Sequence, residues 1–165
     1  MHRIAAELLR ALEARDASCF GSLCRELEAA PAERQRCGED LIAIVAGPDA
    51  AKAELAVDAL RFSGVATDDR VHRRLFATAC AVFPDGELAA GANAERSRMC
   101  EGRERMPAKV RLLQSISLAM LRKAEADGLA FVSRVERHFA GTPLAAHIAA
   151  CRGGPDSGPG SARGK

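Results

Sequence analysis

The chain has 165 residues, a formal net charge of +2 and 28% charged residues, and it contains neither tryptophan nor tyrosine. Its acids and bases are interspersed, which argues against a protein that coats nucleic acid. Charges lie throughout the first sixteen residues, so we expect no signal peptide, and no apolar run approaches the roughly 20 residues of a membrane span. We therefore expect a cytoplasmic protein without a membrane span.

The composition predicts an all-α protein. Alanine, leucine, arginine and glutamate are strong helix formers, whereas the β-branched and aromatic residues that favour strands are scarce. We predict a single helical domain over 1–152, built from αα-hairpins as a compact bundle of seven or eight helices. A short solenoid of the HEAT or TPR kind is the alternative. The Gly- and Pro-rich stretch 153–165 holds no large apolar residue, so we expect a disordered tail.

In the first half of the chain, apolar residues recur at helical spacing between turn residues. Five helices are expected, in chain order over 2–15, 18–29, 31–45, 48–63 and 67–83. Thr67 is the expected N-cap of the fifth helix. In the fourth helix, Leu55, Ala59 and Phe62 belong to a wide apolar face, so we expect that helix to be central and those residues to be buried.

The second half contains three clear helices and one unusual segment. The clear helices are expected over 107–126, 129–140 and 143–151, with a turn at Asp127 and Gly128. A weak helix is expected over 88–98. The rest of the segment 91–106 is expected to lack regular structure. Long irregular segments inside compact domains are often functional.

Five of the seven prolines stand where a helix should begin, because a proline in the first turn loses no intrahelical hydrogen bond. They are Pro31, Pro48, Pro84, Pro107 and Pro143. Pro48 and Pro84 are 36 residues apart, as are Pro107 and Pro143. That interval lies near the period of helical-hairpin repeats. The two units share little besides the prolines, so the bundle remains the primary interpretation.

The segment 91–106 carries our candidate binding residues. It interleaves arginines with glutamates, and its methionines form no apolar stripe. Arginine suits carboxylate recognition, and both residue types are enriched at protein interfaces. We predict that its arginines and methionines contact an acidic protein surface or an amphipathic helix; they are Arg96, Arg98, Met99, Arg103, Arg105 and Met106. A solvated, mixed-charge linker is the other interpretation.

The cysteines and histidines form no recognisable motif. The six cysteines, at positions 19, 24, 37, 80, 100 and 151, lack CxxC or zinc-ligand spacing, so we expect free thiols, with disulfides or a metal site as alternatives. His72, Arg73 and Arg74 are expected on a solvated helix face rather than in a phosphate-binding or acid–base cluster. His147 and Cys151 are four residues apart, a spacing at which two ligands can share a metal ion. Two ligands are too few for a structural metal site. We expect no cofactor and no catalytic residue.

One four-residue stretch resembles a known family. Phe83-Pro84-Asp85-Gly86 follows an apolar helix and is similar to the start of the BH1 region of Bcl-2-like helical bundles, although the tryptophan and arginine that follow the glycine in that motif are absent. Viral Bcl-2-like proteins of this size are all-α. The resemblance would imply binding of apoptotic or inflammatory signalling proteins.

The sequence thus predicts a non-enzymatic module that binds a protein partner, acting as an adaptor, inhibitor or chaperone. Binding would use a groove between helices or the segment 91–106. A viral Bcl-2-like inhibitor, a small bacterial immunity protein and a thiol- or metal-dependent enzyme are the alternatives, and the chain could also form a homo-oligomer. Nucleic acid is a poor fit, because no aromatic residue lies in the segment to stack on bases.

Overall fold

The computed structural model describes residues 1–152. They form nine α-helices: α1 (Arg3–Glu13), α2 (Ala17–Glu28), α3 (Pro31–Val45), α4 (Ala50–Phe62), α5 (Asp69–Val82), α6 (Asp85–Cys100), α7 (Ala108–Lys123), α8 (Ala126–His138) and α9 (Pro143–Arg152). A short 3-10 turn, Val65–Thr67, joins α4 to α5. The all-α prediction is confirmed. The predicted tail, 153–165, lies outside the described residues.

Each of the five prolines marks a helix start, as predicted. Pro31 and Pro143 are the first residues of α3 and α9. Pro84 and Pro107 immediately precede α6 and α7. Pro48 stands two residues before α4 and is followed by Asp49, whose carboxylate accepts hydrogen bonds from the first-turn amides of Ala51 and Lys52. These starts are set locally, by a missing N–H or a capping carboxylate.

Helices α4 and α7 pack against each other at the centre of the molecule. Small side chains on α4, namely Ala53, Ala56 and Ala59, are fully buried and allow the close approach of its neighbours. α7 also contacts α5, α6, α8 and α9, and α4 contacts α1 and α3. The helices therefore surround a central pair in a compact all-α packing.

Two local predictions were wrong, and one helix is longer than expected. Thr67 does not cap α5, because it belongs to the 3-10 turn and its hydroxyl donates to the Gly64 carbonyl at 2.7 Å; Asp68 holds the N-cap position instead. The turn after α7 lies at Ala124, in the left-handed region (φ 56°), so α8 begins at Ala126 and contains Gly128. The weak helix expected over 88–98 does form, but it extends over 16 residues as α6, so residues 1–152 contain nine helices where seven or eight were expected.

Within residues 1–152, no helix combines the length and the apolar character that a bilayer crossing requires.

Candidate functional site

An apolar groove runs between α6 and α7 and encloses about 330 Å³. We call it the α6–α7 groove, and define it by its lining residues: Phe83, Glu87, Ala90, Gly91, Ala94, Pro107, Lys109, Val110, Leu113 and Phe139. Phe83, Leu113 and Phe139 are buried and form apolar walls. Since cavities of this size are at the lower end of the range for small-ligand sites, the groove can accept a few apolar side chains.

The groove exists because α6 carries small residues on the side that faces it. Ala90, Gly91 and Ala94 lie within one turn of each other. A Cβ atom added to Gly91 would come within 3.2 Å of the Phe139 ring. Larger residues at these positions would fill the space, so the small side chains keep the groove open.

One ion pair spans the groove. The Lys109 ammonium on α7 donates to the Glu87 carboxylate on α6 at 2.7 Å. Both side chains are about half exposed, so the pair adds at most a modest amount to stability. The pair places two charged groups beside the apolar lining of the groove. A binding cleft with an apolar centre and a polar edge has the same arrangement.

Two of the predicted binding arginines hold the fold together. Arg96 donates to the carbonyls of His138 (2.7 Å) and Ala140 (3.1 Å), and thereby caps the C-terminal end of α8. Arg98 is buried and forms an ion pair with the fully buried Glu95. Its guanidinium also donates to the carbonyl of Arg103 at 2.6 Å. These side chains position the groove and its following loop.

The other four predicted residues lie on or beside the loop after α6. Met99 is 42% exposed. Arg103 is exposed and pairs with Glu101 at 2.7 Å. Met106 is half-buried against the core, and the loop continues into Pro107 of the groove. Arg105 is exposed. The structure therefore brings part of the segment 91–106 to the groove but does not gather its arginines into one cluster.

Arg105 contributes to a second, polar cavity of about 350 Å³. Its other lining residues are Ala51, Glu54, Leu55, Asp58 and Arg111. Arg111 pairs with Glu54 at 3.1 Å, and the Ser115 hydroxyl donates to Asp58 at 2.9 Å. Burial raises the pKa of Asp58, partly offset by the hydrogen bond from Ser115. The carboxylates here are matched by arginines and a hydroxyl, so they form a structural network.

A second apolar surface surrounds Phe62, which was predicted to be buried but is 55% exposed. Phe62 is the last residue of α4. Beside it lies a cavity of about 520 Å³ whose apolar lining includes Leu12, Phe20 and Cys24. We call this the Phe62 surface. The Arg61 guanidinium stacks over the Phe62 ring, 4.8 Å from its centre.

Burial keeps the thiols of Cys24 and Cys37 in the neutral form. Burial raises the pKa of Cys37 to about 12 and also raises the pKa of Cys24. The exposed pair on α9 has Cys151 Sγ 3.8 Å from His147 Nε2. Neither residue of that pair lines the cavities described above. Among residues 1–152, no three histidine, cysteine or acidic side chains are grouped so that they could hold a metal ion.

The expectation for His72 was wrong, although it was right for its neighbours. Arg73 and Arg74 are exposed, and Arg74 pairs with Glu39 on α3 at 3.3 Å. His72 is 1% exposed and faces the interior. The surrounding arginines suggested a solvated face, and only the helical spacing from the buried Val71 and Leu75 could have indicated otherwise.

The sequence also failed to identify the α6–α7 groove itself. Its aromatic residues, Phe83 and Phe139, are buried, and apolar residues at helical spacing give no sign of a cavity between them. The available signal was the spacing of Ala90, Gly91 and Ala94 on one side of α6. Comparison of the chain with family models, curated proteins and solved structures gives no match.

Proposed function

We propose that this protein is a non-catalytic binding module whose α6–α7 groove receives the apolar face of an amphipathic helix from a partner protein. The observation that carries the proposal is an apolar groove kept open by Ala90, Gly91 and Ala94. Helix-in-groove recognition places side chains spaced three or four residues apart into such a cleft. Small residues on one wall let the backbone of the incoming helix approach closely.

The occupant is proposed to come from another chain. The C-terminal stretch 153–165 consists of Gly, Pro, Ser, Asp, Ala, Arg and Lys, so it has no side chain large and apolar enough to fill the groove. Arg103 and Arg105 lie in the loop that leads into Pro107 at the groove. Arg105 lines the separate polar cavity, whereas Arg103 is exposed and suits an acidic residue on the polar face of the partner helix.

Two adjacent positions on α6 provide a matched test. Ala94 lines the groove and Asn93 does not, while both are exposed. Helical peptides selected from a display library for binding to the native protein would be titrated against Ala94→Phe and Asn93→Phe. We expect Ala94→Phe to weaken binding roughly tenfold or more, a loss of about 1.4 kcal/mol, and Asn93→Phe to leave it unchanged. Equal binding to both variants would refute the proposal.

A second candidate function, self-association, is favoured by the Phe62 surface. The exposed Phe62 ring and the apolar cavity lie side by side on one face of the protein. In a two-fold dimer, the ring of each copy can enter the cavity of the other. Exposed aromatic residues often dominate binding energy at interfaces. Sedimentation of the wild type, Phe62→Ser and the control Met99→Ser at increasing concentration tests it. A dimer that only Phe62→Ser weakens supports self-association through this surface, and a monomer at all concentrations eliminates it.

A further inference from the structure

The histidine on the buried side of α5 lacks the hydrogen bonds that a buried polar group normally has. His72 is 1% exposed, and neither of its ring nitrogens has a hydrogen-bond partner among the described residues. A neutral imidazole has one donor and one acceptor, and leaving either unsatisfied in the interior costs free energy. A charged imidazolium in the same place would cost more.

The first turn of α8 covers this ring. Gly128 is buried, and a Cβ atom placed on it would lie 3.4 Å from His72 Cε1. The tightest contact of such a Cβ atom would be with Met120 Sδ, at 3.1 Å, so the missing side chain allows α8 to pack closely on α7 with the imidazole of His72 in van der Waals contact with the same turn. Displacing this turn would uncover that side of the ring.

Charged groups approach His72 from α5, α7 and the start of α8. The Glu125 carboxylate, just before α8, lies 3.8 Å from Nε2, and Asp127 follows within α8. Lys123 at the end of α7 pairs with Asp69 on α5 at 2.6 Å. Glu39 of α3 pairs with Arg70 and Arg74 of α5. Each of these arginines is two residues from His72 in sequence, which places it about 200° around the helix from the imidazole.

Burial outweighs the carboxylates in this environment. It lowers the pKa of His72 below its usual value, Lys123 acts in the same direction, and Glu125, Asp69 and Asp127 only partly oppose them. The neutral ring is therefore the form compatible with the packed α8. The carboxylate of Glu125 is too far from Nε2 for a good hydrogen bond, so a charged ring gains a full partner only if the junction moves.

The junction between α7 and α8 is a weak point of the backbone. Ala124 adopts the left-handed conformation (φ 56°), which costs a residue with a Cβ atom about 1–2 kcal/mol. Glu125 holds the N-cap position of α8, but its side chain makes no capping hydrogen bond. Movement of this turn therefore sacrifices few local interactions.

We propose that His72 is a pH-sensitive latch, in which protonation of the buried ring releases the first turn of α8 from α5. The proposal is independent of partner binding. Because the pKa of His72 is lowered in the packed state, the latch is fully closed above the unpacked pKa of about 6.5 and weakens as the pH falls below it. For each unit by which packing lowers the pKa of His72, protonation increases the equilibrium constant for opening by up to about tenfold at low pH.

Amide hydrogen exchange at about pH 7.5 and about pH 5, corrected for the intrinsic rates, tests the latch across the range in which histidine titrates. In the wild type, we expect acidification to reduce protection in 124–132 and to leave α1 unchanged. His72→Leu should keep that protection at both pH values. His138→Gln, which alters a partly exposed histidine that pairs with Asp85, should behave as the wild type does.

A second variant keeps the test decisive if His72→Leu fails to fold. Glu125→Gln removes a charge that favours the imidazolium, so opening should require a lower pH than in the wild type. The ring resonance of His72 should titrate below pH 6.5, and protection in 124–132 should be lost over the same range. Two results would overturn the proposal. One is a His72 ring that titrates at or above about pH 6.5 while 124–132 stays protected. The other is the same loss of protection on acidification in His72→Leu.

Discussion

Arg98 and Glu95 form a buried ion pair on the inner side of α6, with Arg98 Nε 2.9 Å from the Glu95 carboxylate. The guanidinium also reaches the carbonyls of Arg103 and Glu104. It therefore ties the loop 101–107 to the end of the helix. An exposed arginine could serve a partner, but this one satisfies a buried carboxylate and two backbone carbonyls of its own chain.

Removing the buried carboxylate should destabilise the protein markedly. Glu95→Gln leaves Arg98 without its counter-charge in the interior, and an unpaired buried charge is far more costly than the loss of a surface pair. Glu101→Gln, which removes the exposed partner of Arg103, is the control. We expect a clear fall in Tm for Glu95→Gln and almost none for Glu101→Gln. Equal melting temperatures would show that the pair is not structurally important.

The pair also explains why α6 was the hardest element to predict. Its interior face contains Glu95 and Arg98 alongside Leu88 and Ala92, so the apolar periodicity that identifies a helix is interrupted by charged residues. Only the fold shows that these two charges satisfy each other. The helices that begin at Pro31 and Pro143 and just after Pro107 needed no such information, because proline and neighbouring apolar stripes are local signals.

A close approach between α3 and α5 depends on Gly38. A Cβ atom there would lie 2.7 Å from Val71 Cγ2 and 2.9 Å from Val65 Cγ1. Gly38→Ala should therefore destabilise the protein by roughly 1–3 kcal/mol through overpacking. Urea unfolding measures the change.

Gly86 provides the matched control for that substitution. It lies in the first turn of α6, and a Cβ atom added there would meet nothing within 4 Å. Gly86→Ala should stabilise the protein by about 0.5–1 kcal/mol, because alanine loses less backbone entropy in a helix. If Gly38→Ala proves as neutral or as favourable as Gly86→Ala, the α3–α5 packing described here is incorrect.

The left-handed residue at the end of α7 offers a stabilising change. Ala124→Gly removes the steric cost of a Cβ atom at φ 56° and should raise the free energy of unfolding by about 1 kcal/mol. Ala130→Gly, at an exposed position inside α8, should lower it by about 0.5–1 kcal/mol. Denaturant titration distinguishes the two signs, and a loss of stability in Ala124→Gly would contradict the assigned backbone conformation.

The six thiols should divide by accessibility when the native protein is treated with an aromatic disulfide reagent. Cys19, Cys100 and Cys151 are exposed and should react, whereas Cys37 should resist because it is buried and its pKa is raised to about 12. Mass spectrometry of the labelled peptides gives the order. Modification of Cys37 at the rate of Cys100, without unfolding, would contradict its burial.

Side-chain environments were predicted less well than helices, and Phe62 and His72 show why. Helical spacing placed Phe62 on an apolar face, yet α4 ends at this residue, which is left 55% exposed within residues 1–152. His72 stands beside two arginines in sequence but on the opposite side of the helix from Arg74. Burial at such positions depends on which helix packs against them, and the sequence of one helix does not contain that information.

Backbone amide shifts of the labelled protein, measured while a selected helical peptide is added, test the proposed binding mode most directly. We expect the largest shifts at the α6–α7 groove, around Gly91, Ala94 and Val110, and their loss in Ala94→Phe but not in Asn93→Phe. Shifts centred instead on Leu12, Phe20 and Phe62, unaffected by Ala94→Phe, would contradict the proposal.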